Sequence, residues 1–416
     1  MSTPLNIDFV RAQFPPLRDA WVFLENAGGS YVPRQVIDRA TEYMSDSQVQ
    51  PNWDFPSSQR ATERIKRGLL AAAEFINAEA NEVFLGPSTT MNVFLIAQAL
   101  LPSLKPGDEI IVTEQDHEAN IGAWRRLESV GLVIKEWKVD RATGALIEGG
   151  LTPLLSERTR LVAMTHCSNV CSIVHDLSKL IPEIHASGAL AFIDGTAYAP
   201  HFSIDVKALD VDFYVFSLYK VCGPHQSVLY GKRPLLERAQ ALNHFFIGNE
   251  SISYKFLPGG PNHELAAATA GTAEYFDALY RAHFDQPENS FHTRLAKVYQ
   301  LIGAHEAALS ARVEAFLRGQ KNVRILGRVR PPDGRLGDGR LAPVIGFWVP
   351  GRSSAEIAAR LHGHRISIGN GDFWARRCLA AVGLNPDDGV VRVGIAHYNS
   401  DGDIDRLLGA LDDVLR

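Results

Sequence analysis

Two residues with complementary chemistry follow strand-like segments in the middle of the chain. Lys220 ends the stretch Asp-Phe-Tyr-Val-Phe-Ser-Leu-Tyr-Lys and precedes a Gly-Pro turn, and Asp194 ends the apolar run Leu-Ala-Phe-Ile-Asp. Because parallel sheets bind ligands at the carboxyl ends of their strands, both side chains are expected at one crevice. A lysine that forms a Schiff base and a carboxylate that keeps a ring nitrogen protonated are two groups that a pyridoxal cofactor requires. Either residue alone is a weak signal, since most such residues are solvated surface groups.

The composition is that of an ordinary globular protein, and it excludes several classes of function. Of the 416 residues, 46% are hydrophobic and 21% are charged, and the formal net charge is -5. This small charge argues against binding of nucleic acid or docking of a basic face on a membrane. The chain has no apolar run long enough to span a membrane and does not begin with a signal peptide. We therefore expect a cytoplasmic protein.

The cysteines indicate neither a disulfide framework nor a metal site. The chain has four of them, Cys167, Cys171, Cys222 and Cys378, which is too few to staple a chain of this length. Cys167 and Cys171 are four positions apart, but no second pair of Cys or His completes a zinc set. We expect no metal.

Strand-like and helix-like segments alternate between about residues 83 and 230. Strands are predicted at 109–112, 133–137, 161–164, 189–193, 212–216 and 227–230, and helices at 120–129 and 178–186. A helix over 57–76, capped by Ser57 or Ser58, precedes this region. Long helices over 264–282 and 290–317 follow it, the second with the length of a connection between domains. The alternation predicts an α/β fold with a largely parallel sheet covered by helices on both faces.

The last hundred residues predict a second, smaller α+β unit. A mobile loop rich in Gly, Pro and Arg is expected over 328–341. After it the sequence predicts strands at 344–348, 365–368 and 390–395, and helices at 354–362, 374–382 and 402–415. We expect an N-terminal segment (1–25) that packs on the small domain and the active site, a large cofactor-binding domain (26–285) and a small C-terminal domain (286–416).

Three stretches of the sequence together resemble the cofactor core of class V aminotransferase-fold enzymes: 194–201 (Asp-Gly-Thr-Ala-Tyr-Ala-Pro-His), 205–210 and 212–220. Within this group the chain is similar to the cysteine desulfurase-like proteins, from about residue 24 to the C-terminus. The resemblance implies the PLP-dependent transferase fold type I, with a mostly parallel seven-stranded-type sheet and a smaller α+β C-terminal domain. It also implies pyridoxal 5'-phosphate as cofactor, and a homodimer with active sites at the subunit interface. Gly260 replaces a threonine that the neighbouring subunit usually lends to the phosphate.

The resemblance also implies roles for single residues. Lys220, Asp194 and His117 would be catalytic, with His117 stacked on the pyridine ring, and Asn169 would lie beside the phenolic oxygen of the ring. The phosphate would bind Ser217 and a cup between a strand and a helix, where hydroxyls and free N–H groups favour an anion; the cup consists of Ser88, Thr89 and Thr90.

For the substrate, the resemblance implies an arginine and a closing segment. Arg392 would hold the α-carboxylate, because a guanidinium matches a planar anion with two hydrogen bonds. The segment that would close over that carboxylate consists of Asn26, Ala27 and Gly28.

Three departures from the family pattern bear on function. Trp374 occupies the place of the cysteine that accepts sulfur in cysteine desulfurases, and Cys378 lies within a predicted helix, where a small buried side chain is expected. Ala197 replaces a Gln or His that helps to hold the phenolic oxygen in the relatives. Loss of that donor would either change the acidity of the aldimine proton or pass the task to Tyr198 or Asn169. The aromatic insertion at 244–250 would line the substrate entrance or pack at the dimer seam.

Several functions remain open at this point. An amino-acid substrate would lose its α-proton to Lys220, and β-elimination of the C–S lyase or cysteine desulfurase-like kind is favoured because the relatives labilise a Cβ–S bond. An aminotransferase or an amino-acid epimerase would use the same residues. A non-catalytic scaffold is a remote alternative. A dinucleotide-binding dehydrogenase is weaker still, since no G-x-G-x-x-G follows a first strand.

Overall fold

The computed structural model describes residues 4–250, 252–288, 290–327 and 340–416. Its strands are, in chain order, β1 (Val22–Phe23), β2 (Val83–Gly86), β3 (Glu109–Thr113), β4 (Val133–Trp137), β5 (Thr159–Thr165), β6 (Leu190–Asp194), β7 (Phe213–Ser217), β8 (Ser227–Gly231), β9 (Arg324–Ile325), β10 (Val344–Trp348), β11 (Ile366–Ser367), β12 (Gly369–Gly371) and β13 (Val390–Gly394).

The described ranges contain fourteen α-helices. They are α1 (Ile7–Ala12), α2 (Arg34–Asp46), α3 (Pro56–Phe75), α4 (Thr89–Leu100), α5 (Glu118–Arg125), α6 (Leu177–Ala186), α7 (Val206–Leu209), α8 (Arg233–Arg238), α9 (Ile252–Lys255), α10 (His263–His283), α11 (Phe291–Gly319), α12 (Ser354–Gly363), α13 (Arg376–Ala381) and α14 (Asp401–Leu415). Within the described ranges no helix has the length and apolar character needed to cross a membrane.

The larger sheet has seven strands in the order β2-β8-β7-β6-β5-β3-β4. The strands from β7 to β4 are parallel to their neighbours, whereas β8 runs antiparallel to both β7 and β2. The predicted α/β fold with a mostly parallel sheet is therefore confirmed. The parallel connections run through helices, which is how such sheets are covered on both faces.

The strands of this sheet are apolar along their whole length because both faces are covered. In β7, Phe213 and Val215 belong to the cluster under α4 and α5, while Tyr214 and Phe216 belong to the cluster on the opposite face. Successive side chains of a strand point to opposite faces. A continuous apolar run is thus the sequence signature of a central strand, and its polar end residue marks the sheet edge.

The smaller sheet has four strands in the order β12-β13-β10-β9, and each strand is antiparallel to its neighbours. The N-terminal strand β1 pairs in parallel with β11 beside it, and Val22 and Leu24 belong to the apolar cluster of this unit. Val10 and Phe14 instead pack in the cluster under the larger sheet. The N-terminal segment therefore touches both units, and the domain boundaries at 25/26 and 285/286 stay predictions.

Helix α11 joins the two units as one uninterrupted element. Leu295 and Ile302, in its first half, belong to the apolar cluster under the seven-stranded sheet. Val313 and Leu317, in its second half, belong to the cluster of the smaller unit. Gly303 lies between these two sets of contacts, and nothing lies within 4 Å of the place where its Cβ would be.

Three local predictions differ from the structure. Helix α3 begins at Pro56 and has no side-chain cap, because the Ser58 hydroxyl donates to the Gln50 carbonyl at 2.7 Å and accepts from the Trp53 N–H at 2.9 Å. The helix predicted from 374 begins two residues later, since Trp374 has φ 61°, a left-handed conformation that α-helices exclude. The mobile loop predicted over 328–341 lies outside the described residues except for its last two.

Candidate active site

The carboxyl ends of adjacent strands bring the two residues of the first prediction together. Asp194 is the last residue of β6, and Lys220 ends a short turn directly after β7. Both side chains are buried. All eight predicted cofactor residues line one cavity at this sheet edge: Ser88, Thr89, Thr90, His117, Asn169, Asp194, Ser217 and Lys220.

The amine of Lys220 is the reactive group in this cavity. Burial, and next the positive charge of Arg392, lower the pKa of Lys220 to about 8, although Asp194 and Glu25 act in the opposite direction. Burial of an ammonium is costly, so a larger fraction of Lys220 is in the neutral amine form than for a solvated lysine. A neutral amine is the form that attacks a carbonyl carbon or accepts a proton.

Asp194 is a buried carboxyl whose ionised form needs a positive partner. Burial raises the pKa of Asp194, and hydrogen bonds from Thr196 oppose that rise; the Thr196 N–H donates to Oδ1 at 2.8 Å. In the described part of the chain, no Lys, Arg or His forms an ion pair with Asp194 within 4 Å. A protonated ring nitrogen would supply the missing positive charge.

His117 begins the helix that follows β3, and its ring is uncharged. Nδ1 accepts a hydrogen bond from the Ala119 N–H at 3.0 Å, which caps α5. Burial, then the charges of Lys220 and Arg392, lower the pKa of His117 to about 3. The ring is therefore neutral near pH 7 and presents a flat face without adding charge to the cavity.

Hydroxyl groups gather at the N-terminus of α4. Thr89 Oγ1 lies 2.8 Å from Ser217 Oγ and 3.0 Å from Ser227 Oγ, and the Ser88 hydroxyl accepts from the Met91 N–H at 3.1 Å. A helix N-terminus with hydroxyls suits a phosphate. Ser227, which was not predicted from the sequence, reaches this cluster because β8 is antiparallel to β7 and pairs it with Ser217.

These side chains fit pyridoxal 5'-phosphate. A buried amine can bond to the aldehyde, and a buried carboxyl without an ion-pair partner can face the ring nitrogen. A neutral imidazole can lie on the ring, and the hydroxyl cluster can hold the phosphate. No group of three metal-ligating side chains occurs in the described ranges.

The residues predicted for the substrate do not line this cavity. Arg392 lies on β13 of the smaller sheet and is buried; its Nη1 is 3.4 Å from the Asn169 carbonyl oxygen, at the cavity wall. The Asn26 amide donates to the Gly394 carbonyl at 2.8 Å and to Asn399 Oδ1 at 3.1 Å. The Asn26 side chain is thus engaged within the protein. The backbone N–H groups of Asn26 and Gly28 are engaged as well, with the carbonyls of Gly394 and Glu25, so the substrate contact predicted for 26–28 stays a prediction.

Two further residues surround Arg392, and sequence analysis assigned neither to the substrate carboxylate. The guanidinium lies over the Phe373 ring, 3.6 Å from its centroid, and Nη2 donates to Glu25 Oε1. Glu25 could have been predicted from its position directly before segment 26–28. A segment expected to close over the carboxylate-binding arginine also brings its neighbouring residue within reach of that arginine.

Tyr198 is not placed to bind the phenolic oxygen of the cofactor ring in place of the side chain that Ala197 lacks. Tyr198 stacks on His166 with ring centroids 3.5 Å apart, and its hydroxyl lies 3.4 Å from the Ser203 carbonyl oxygen. That alternative is wrong, because the ring is directed into the core cluster. Asn169 does line the cavity, and its amide donates to the Phe373 carbonyl at 2.9 Å.

The structure places no reactive thiol at the position of the persulfide cysteine. Trp374 is 70% exposed there, with its ring 6.3 Å from that of His117. Cys378 is buried within α13, as predicted. The contact with Cys171, whose Sγ is 3.7 Å away, and burial raise the pKa of the Cys378 thiol well above its usual range. A thiol that stays protonated is a poor nucleophile.

Comparisons with known proteins agree on one family. The family model "Aminotransferase class-V" matches residues 22–407. The aminotransferase-like protein FGM3 of Gibberella zeae is 35% identical over 422 residues, which cover 100% of both chains. The cysteine desulfurase-like protein ustD of Aspergillus flavus is 31% identical over 424 residues, covering 99% of this chain and 91% of that protein. The crystal structure of the cysteine desulfurase CsdA of Escherichia coli matches with a TM-score of 0.82 and 27% identity, over 99% of each chain. The chain therefore belongs to the class V aminotransferases, a family of pyridoxal-phosphate-dependent enzymes with fold type I.

Proposed function

We propose that this chain binds pyridoxal 5'-phosphate at Lys220 and catalyses β-elimination from a sulfur-containing amino acid. The observation that carries the proposal is the contrast between the cavity and its entrance. We call the entrance the mouth and define it by Glu25, Phe373, Trp374 and Arg392. The cavity holds the amine, carboxyl and imidazole side chains that α-proton removal needs, while the mouth carries Trp374 and no accessible thiol. All four cysteines lie in the described part of the chain and are buried.

Each residue of the cavity has a defined task in this proposal. When bound, pyridoxal 5'-phosphate supplies an electron sink that stabilises negative charge at the substrate α-carbon. Lys220 Nζ takes the α-proton, for which its neutral form and burial suit it. Asp194 keeps the ring nitrogen protonated, and His117 covers the ring without adding charge. Thr89, with Ser217, binds the phosphate.

The substrate carboxylate is assigned to Arg392 at the mouth. The guanidinium is buried between the Phe373 ring and the Asn169 carbonyl, and burial strengthens its attraction for an anion by excluding water. A carboxylate held there would orient the α-carbon toward Lys220. Overall, an S-substituted cysteine and one water would give a thiol, pyruvate and ammonia.

The deciding experiment measures products in the absence of an amino acceptor. Purified enzyme is incubated with cysteine, cystine and several cysteine S-conjugates, without any 2-oxo acid, and pyruvate and ammonia are quantified. We expect stoichiometric, continuing release of both, and none from Lys220→Ala. A single turnover that stalls until a 2-oxo acid is added would make the enzyme an aminotransferase. Inversion at the α-carbon without pyruvate would make it an epimerase.

We also infer a homodimer whose subunits share active sites. Phe245 and Phe246 are 99% and 71% exposed, which is unusual for neighbouring aromatic side chains in a monomer. The loop around Gly260 adopts positive φ at Gly259 and Gly260, so it keeps the glycine-dependent turn expected of the segment that meets the neighbouring subunit. Light scattering of the purified protein should give twice the mass of the chain, and Phe245→Asp with Phe246→Asp should lower it.

A further inference from the structure

The guanidinium assigned to the substrate carboxylate already binds a carboxylate of the chain itself. Arg392 Nη2 donates to Glu25 Oε1, and Nη1 lies 3.4 Å from the Asn169 carbonyl oxygen. Arg392 Nε has no hydrogen-bond partner in the described part of the chain, although it is buried. The arginine is thus only partly paired: Nη2 binds Glu25, while the buried Nε–H has no partner and is available to a ligand.

Glu25 is fitted into this place by the backbone around it. A Cβ atom on Gly28 would lie 1.9 Å from Glu25 Oε2, and one on Gly369 would lie 2.9 Å from Oε1. The carboxylate therefore occupies space that two residues without side chains provide. The main chain at Glu25 is held by its bridge to Gly394, on the strand that carries Arg392. The Glu25 side chain is 25% exposed, so it has a route out of this position.

A ligand carboxylate and Glu25 must compete for one guanidinium. A bidentate carboxylate uses two neighbouring N–H groups of an arginine, and Nη2, which borders the available Nε, is taken by Glu25. An α-amino acid that binds through Nε and Nη2 therefore competes with Glu25 for Nη2. A primary amine without an α-carboxylate displaces nothing, because Glu25 continues to neutralise the buried arginine.

We propose that Glu25 is a specificity-determining residue that competes with the ligand carboxylate for Arg392 and lets the site bind primary amines without an α-carboxylate. The proposal rests on the proposed function only in assigning the substrate carboxylate to Arg392. Glu25 then sets the preference between two classes of ligand: α-amino acids, which replace it, and amines, which leave it in place.

The test compares two matched ligands on the cofactor-loaded enzyme by isothermal titration calorimetry. 3-(Methylthio)propanoate carries the carboxylate without an amino group, and 2-(methylthio)ethylamine carries the amino group without a carboxylate. Removing the competing charge in Glu25→Gln should tighten binding of the propanoate by about tenfold. The same change should weaken binding of the amine, because the buried arginine then lacks the charge that neutralises it. Glu25→Asp, which keeps the charge on a shorter side chain, should tighten binding of the propanoate less. Arg392→Gln should lose the propanoate.

Each of the other outcomes would overturn one part of the proposal for Glu25 or of the proposed function. Unchanged or weaker binding of the propanoate in Glu25→Gln and Glu25→Asp, with wild-type thermal unfolding, would show that Glu25 only holds Arg392 in place. If the wild-type enzyme did not bind 2-(methylthio)ethylamine, primary amines would be ruled out as the second class of ligand. If Arg392→Gln kept the propanoate, the carboxylate site of the proposed function would itself be wrong, whereas a failure confined to the Glu25 variants would leave that function intact.

Discussion

The cofactor cavity and the mouth of the active site are neighbours that the chain assembles in different ways. The cavity takes Asp194, Ser217 and Lys220 from the ends of two adjacent strands, and their side chains face a common space. The mouth joins Glu25 and Arg392, which are 367 positions apart in sequence, and these side chains bind one another. The sheet therefore determines which reactive side chains line the cavity. Selectivity between ligands at the mouth depends instead on the contact between Arg392 and Glu25, for which a ligand carboxylate competes.

The largest effect should come from the cavity. In Lys220→Ala we expect no visible absorbance of the cofactor-bound amine and a loss of turnover of at least about a thousandfold, because both the attachment point and the proton acceptor are removed. Absorbance spectra and pyruvate release measure the two effects. Lys207→Ala, an exposed lysine on α7, is the control and should keep both. A Lys220→Ala protein with an unchanged visible band would separate Lys220 from the cofactor.

A mouth substitution should act on binding more than on chemistry. Arg392→Lys loses the forked pair of N–H groups, so we expect KM for an amino acid to rise by about tenfold or more with kcat changed less. Steady-state kinetics over a range of substrate concentrations separates the two constants. Arg377→Lys, at a more exposed position in the same unit, should leave both unchanged. An equal fall in kcat and kcat/KM would mean that the two regions are not separable.

The pH dependence of Lys220 measures how far the mouth acts on the cavity. Its pKa is lowered to about 8, so in cofactor-free protein the neutral amine forms as the pH rises through that value. The rate of reconstitution with pyridoxal 5'-phosphate should therefore rise with pH and level off above about 8. Arg392→Gln removes a positive charge that lowers this pKa, and the midpoint should move to higher pH. Glu25→Gln should move it to lower pH. Identical midpoints in all three proteins would show that the mouth has no electrostatic influence on Lys220.

The smallest effect is expected at Cys378. Since this thiol is buried in α13 and stays protonated, Cys378→Ser should keep kcat/KM within about twofold and lower the free energy of unfolding by about 1 kcal/mol, the cost of burying a hydroxyl. Cys171→Ser, its partner, should behave alike. Pyruvate assays and urea unfolding give both quantities. An inactive but folded Cys378→Ser protein would revive a persulfide mechanism.

The sequence was sufficient for the cavity because parallel strands impose strong local patterns. Apolar runs that end in Asp194 or just before Lys220 reveal both the strand and the edge at which its last residue lies. Ser227 escaped this reasoning because a polar residue at the start of a strand reaches the same edge only if that strand is antiparallel, and no local signal states the direction of β8.

The mouth could not be predicted in the same way, since its contacts depend on how distant segments meet. Asn26 was assigned to the substrate, yet its amide binds Gly394 and Asn399 across the interface with the smaller sheet. Trp374 was placed in a helix, yet Phe373 and Trp374 both have positive φ. Neither the hydrogen bonds of Asn26 nor the positive φ of Phe373 and Trp374 can be predicted from the local sequence. Tertiary packing imposes both on residues that tolerate other conformations.

The continuous helix α11 gives the molecule a mechanical property. With 29 residues it is a rod of about 44 Å, clamped at one end in the core of the large unit and at the other in the core that carries Arg392. Any rotation of the smaller unit must bend or drag this rod. Gly303 lies between the two clamps without side-chain support, and a glycine weakens a helix by about 1 kcal/mol. Contacts with the large unit continue past Gly303, since Glu306 pairs with His201 at 3.0 Å, so the position of Arg392 relative to Lys220 depends on the stiffness of the whole rod.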